Sequence, residues 1–215
     1  QARVPLDLFA HSLGTRTALK ALALLGPNGL GAAVRRAILL GGAEFSLDAR
    51  DAVASLETEV FNFAGRRDPV LDLGATEMCS PFRPRLTLES RVIGFDGLRE
   101  NARWLDLQLD HDGERGRAFS AWFAARGFPD LTGVPLNGRG RHWSYYRNLP
   151  NRKLYRSLLT DDEKTILWFR QQRVPEGVDR IAYGQLSGPV PLVPPTAAER
   201  IAGWKYPDKY VPKYP

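Results

Sequence analysis

Four short apolar runs, separated by stretches with helical spacing, constrain this chain more than any other feature. Residues 3–10 alternate as a strand in which Pro5 is tolerable only near the start. Residues 37–40 and 60–64 are continuous apolar runs suited to buried strands, and 104–109 makes a fourth. Between the first two, residues 12–25 are rich in Leu and Ala at helical spacing and stop at Gly26-Pro27-Asn28-Gly29. Residues 48–59 read as a second helix with Asp48 as its cap. Further helices are expected over 115–126, 152–159 and 161–173, the last capped by Thr160. Strands that alternate with helices imply a parallel sheet joined by right-handed crossovers. The expected class is therefore α/β, a mostly parallel sheet with flanking helices over residues 1–187.

From Gly188 the composition changes. Pro189, Pro191, Pro194, Pro195, Pro207, Pro212 and Pro215 forbid a regular helix, and Lys205-Tyr206, Lys209-Tyr210 and Lys213-Tyr214 recur every four residues. Residues 188–215 are expected to form an extended Pro-rich tail, which either docks on a partner or lies along its own domain.

Composition narrows the function classes. At 215 residues, 43% hydrophobic and 25% charged, the chain resembles an ordinary folded protein rather than a disordered one. No apolar run approaches the ~18 residues of a spanning helix, so no transmembrane segment is expected. Cys79 is the only cysteine, which removes intrachain disulfides and cysteine-based metal clusters; no metal or other cofactor is expected. The chain opens on Gln1 and its only methionine is Met78, so an upstream segment is expected; no signal-peptide pattern is visible, and a cytoplasmic location is the working expectation.

Charge is uneven. Residues 1–110 carry 13 Lys/Arg against 14 Asp/Glu, whereas 111–215 carry 17 against 10. Residues 131–160 hold no acid but six bases: Arg139, Arg141, Arg147, Arg152, Lys153 and Arg156. Such a stretch suits an acidic substrate or an acidic protein face, although a solvated surface is its ordinary meaning. Nucleic acid is not the expected partner, because no nucleic-acid-binding motif accompanies the positive charge.

The chemistry concentrates at Leu8-Phe9-Ala10-His11-Ser12-Leu13-Gly14-Thr15-Arg16, where an expected strand turns directly into an expected helix. A serine in such a turn projects its hydroxyl from the strand end, provided that small residues stand two positions before and after it. Ala10 and Gly14 meet that requirement. Leu13 would then offer its backbone N–H at the helix N-terminus, where free donors and the dipole favour an oxyanion. The ordinary alternative makes Ser12 a helix N-cap. Downstream, Asp68 lies past the end of the 60–64 strand, and His142 follows Gly138-Arg139-Gly140-Arg141. His111 is a second candidate for the histidine. Glu44, past the 37–40 strand, is a second candidate for the acid, and Asp72 a weaker one. His11 is expected to point elsewhere and pack. Trp143, Tyr145 and Tyr146 either line a substrate pocket or pack in the core.

In its order Ser12, Asp68, His142, and in its strand, turn and helix around the serine, residues 3–159 resemble the α/β-hydrolase superfamily. The resemblance implies that Ser12 is the nucleophile, His142 the base and Asp68 its orienting acid, acting on carboxylic esters or related acyl compounds. It also implies that further strands precede the one running from Arg3 to Ala10, together with a loop bearing the second oxyanion donor. On that expectation an N-terminal segment or another polypeptide completes the sheet beside residues 3–10. A non-catalytic subunit of this fold, working by binding within a larger assembly, is the alternative.

Overall fold

The computed structural model describes residues 5–54, 57–65, 67–71, 92–98, 102–110, 113–128 and 142–172. Within them, β1 (Leu6–His11), β2 (Val34–Leu40), β3 (Glu59–Ala64) and β4 (Trp104–Gln108) form one sheet in the order β1-β2-β3-β4, every pair parallel. The helices are α1 (Gly14–Leu25), α2 (Ser46–Val53), α3 (Ile93–Asp96), α4 (Gly113–Ala124), α5 (Ser144–Arg147), α6 (Leu149–Thr160) and α7 (Ile166–Gln171). This is an α/β fold.

Strand alternation divides the core in two. Ile38, Leu40, Phe61, Phe63, Leu105 and Leu107 face one side and pack on α4, α6 and α7 through Phe119, Phe123, Leu154, Tyr155, Leu158 and Phe169. Ala37, Leu39, Val60 and Trp104 face the other and meet Leu19 and Leu22 of α1 and Ala49, Ala52 and Val53 of α2. Such two-sided burial is why the middle strands read as continuous apolar runs.

Several expected boundaries are corrected. Strand β2 begins at Val34, earlier than its apolar run, because Arg36 is buried in it and bound. Its guanidinium pairs with Glu59 at 3.2 Å and donates to the main-chain oxygens of Leu158, Asp161 (2.8 Å) and Asp162 (3.2 Å) at the C-terminal end of α6. Helix α2 starts at Ser46 and ends at Val53, so Asp48 lies in its first turn rather than at its cap. Glu59, placed at the end of that helix by its sequence pattern, instead opens β3; its carboxylate holds Arg36 and the Ile166 N–H. Thr160 caps nothing. It closes α6, its hydroxyl donating to Arg156 O at 2.9 Å, and the cap of α7 is Thr165, which accepts from Trp168 N at 3.0 Å. Helix α6 extends the expected 152–159 at both ends, starting beside Pro150.

The Pro-rich tail at 188–215, His111, Asp72, Arg139 and Arg141 lie outside the described residues. No helix among the described residues is long and apolar enough to cross a membrane.

Candidate functional site

At the C-terminal edge of the sheet, β1 ends on His11 and the chain turns through Ser12 and Leu13 into α1. Ser12 has φ 54°, making it the only non-glycine with positive φ among the described residues. Left-handed backbone costs an ordinary side chain about 1–2 kcal/mol, so something must hold it there. The Ser12 N–H donates to Leu40 O at 3.0 Å, continuing the β1–β2 ladder by one step. Its carbonyl accepts from Thr15 N at 3.1 Å, Ala43 N at 3.2 Å and Thr15 Oγ1 at 2.7 Å. Thr15, wholly buried, also accepts from Ala43 N at 3.1 Å. It therefore fastens the turn to the loop after β2, a role not apparent in its sequence context.

Two expectations about the turn are settled by this geometry. The N-cap of α1 is Leu13, and no side chain caps the helix, so Ser12 is not an N-cap. The small residue expected at position 14 need not be glycine: a Cβ there would touch nothing within 4 Å among the described residues. The N–H of Leu13 has no acceptor among the described residues, and its side chain is exposed.

Asp68, on the loop beyond β3, is buried. Its Oδ1 accepts from the Val70 N–H at 3.0 Å and the Leu71 N–H at 3.3 Å, and its Oδ2 lies 2.7 Å from Nδ1 of the equally buried His142. A carboxylate whose lone pairs are taken by three N–H groups acts as acceptor only. The His142 proton therefore sits on Nδ1, leaving the Nε2 lone pair of the neutral ring free. That tautomer can take a proton from a hydroxyl.

Of the residues named from the sequence, the structure brings Asp68 and His142 into direct contact. It brings His142 to the serine turn through His11, whose ring lies 4.6 Å from the His142 ring and whose Nε2 lies 3.0 Å from His142 O. His11 therefore does not point elsewhere: it sits against His142, ringed by Trp143 at 5.8 Å and Tyr146 at 5.1 Å. Among the described residues no hydrogen bond joins Ser12 Oγ to His142. Glu44 does not reach the histidine; its buried carboxylate accepts from Phe45 N at 3.0 Å and pairs with Arg16 at 3.3 Å.

The aromatic trio after His142 divides. Tyr145 is fully buried, whereas Trp143 is 54% exposed. The Tyr145 ring crosses the ends of the strands against Gly41, at φ 50°, where a Cβ would lie 2.8 Å from Cε2. It also abuts Gly65, whose Cβ would overlap the tyrosine hydroxyl. That hydroxyl has no hydrogen-bond partner among the described residues, and burial, reinforced by the charges of Asp68 and Asp110, pushes its pKa well up.

Compared with protein-family models, curated proteins and solved structures, the chain has no match to any of them.

Proposed function

We propose that this chain is a serine hydrolase of the α/β-hydrolase type, acting on carboxylic esters or related acyl compounds through an acyl-Ser12 intermediate. The observation that carries the reading is the buried Asp68–His142 pair at 2.7 Å, seated through His11 against a strand-to-helix turn in which Ser12 alone is forced to positive φ. Structural polar networks rarely combine a strained serine with a histidine held in the base tautomer.

The chemistry follows from the groups. Ser12 Oγ attacks the acyl carbon while its proton passes to His142 Nε2, and Asp68 stabilises the resulting imidazolium. The oxyanion of the tetrahedral intermediate is met by the Leu13 N–H at the start of α1. Collapse expels the alcohol, which takes the proton from Nε2, and water repeats the sequence to release the acid and restore Ser12. Neither metal nor organic cofactor is needed. The exposed Arg147, in the short helix that follows His142, favours an anionic acyl substrate.

A second reading, a non-catalytic binding subunit of the same fold, is favoured by the lack of a Ser12–His142 hydrogen bond and by the position of β1 at the sheet edge, both among the described residues. The two part company on turnover. Ester hydrolysis by the wild-type chain, lost in Ser12→Ala and reduced by about 10⁴ in kcat in Asp68→Asn through loss of the correct tautomer, supports the enzyme. Hydrolysis indifferent to both substitutions sinks it. Reactive apo sites often hold the nucleophile–base contact loosely, so the absent bond is compatible with catalysis.

A further inference from the structure

His11 stands next to Ser12, yet the relay described above gives it nothing to do. Its Nε2 lies 3.0 Å from the main-chain oxygen of His142. A carbonyl oxygen only accepts, so Nε2 carries the hydrogen and neutral His11 is the Nε2–H tautomer. The two imidazoles lie 4.6 Å apart at 47°. His142 is thus held twice, its ring by Asp68 beyond β3 and its main chain by His11 at the end of β1. Strand β1 is itself fixed in register on β2, with His11 opposite Leu40.

We propose that His11 is a positioning residue of this site, fastening the His142 main chain to the serine turn through its Nε2–H. Its catalytic meaning rests on the hydrolase reading; its contact with His142 does not. The charged and titratable groups that face His11 are His142 and Asp68, with the phenols of Tyr145 and Tyr146 around them. Burial is the largest influence and lowers the His11 pKa below its ordinary 6.5. The bond to His142 O opposes that change, positive charge on His142 lowers the pKa further, and Asp68 raises it.

Ring-nitrogen NMR across pH, on wild type and on His142→Gln, tests the coupling without any substrate. The expected result is an Nε2–H tautomer for His11, titrating below 6.5 in the wild type and upward of that position in His142→Gln. A His11 titration that ignores the substitution overturns the proposal. A kinetic arm then separates positioning from packing. His11→Phe keeps a ring but no donor and should slow fluorophosphonate labelling of Ser12 by about 10- to 10²-fold. His11→Gln, whose Nε2–H reaches to a similar depth, should recover most of that loss, with thermal unfolding confirming that both variants fold. Equal slowing in the two variants contradicts a role for the donor. If the wild type neither labels nor turns over an ester, the hydrolase reading fails by itself, and the ring titration decides whether His11 and His142 are coupled.

Discussion

Ser12 joins a strained backbone to the proposed nucleophile. Its φ of 54° is one that glycine adopts freely, so Ser12→Gly should raise stability by about 1 kcal/mol relative to Ser12→Ala, read as a higher urea midpoint at unchanged slope. Equal midpoints would mean that the turn is not strained in solution. The serine turn was legible in the sequence because the small residues Ala10 and Gly14 flank Ser12 where a strand-like run turns directly into a helix-like one. Its anchors were less so. Thr15 reads as an ordinary helix residue until Ala43 is seen to approach it. His11 could not be told from a packing residue, because its partner His142 lies 131 positions away.

At the scale of elements, Tyr145 of α5 locks its helix to the strand ends, and the lock has a testable flaw. The buried hydroxyl has no partner among the described residues, so Tyr145→Phe should be neutral or stabilising. Gly65→Ala, whose methyl would collide with that hydroxyl, should cost about 1–3 kcal/mol. Most of this penalty should disappear in the Gly65→Ala, Tyr145→Phe double variant. Additive effects in chemical denaturation would place the collision elsewhere. Strand identities were readable because β2, β3 and β4 are buried on both faces and written in apolar residues. Helix ends were not, because long-range partners decide them. Arg36 collects the carbonyls that finish α6, and Asp161, whose Oδ1 accepts from Glu163 N at 3.0 Å, turns the chain where a helix start was expected.

Across the whole molecule, the two edges of the sheet differ. Strand β4 is buried along all but its last residue, whereas β1, at the sheet edge among the described residues, leaves Leu6 at 60% and Phe9 at 50% exposure. Edges of this kind recruit further strands. The expected completing polypeptide would pair along β1, and without it the chain should self-associate with rising concentration in light scattering. Leu6→Lys should weaken that association, while a monodisperse monomer at every concentration would contradict the edge argument. The parallel order was legible from the alternation of strand and helix signals. The asymmetry of the edges was not, since exposure depends on what the distant residues 113–128 and 142–172 cover.

The central claim is that Ser12 is the nucleophile of a relay with His142 and Asp68. The most direct test is to treat the chain with a fluorophosphonate and map the adduct by peptide mass spectrometry. The account predicts a single adduct on the peptide containing Ser12, absent from His142→Ala and from protein unfolded before treatment. An unmodified Ser12 peptide, or an adduct that persists without His142, would contradict it.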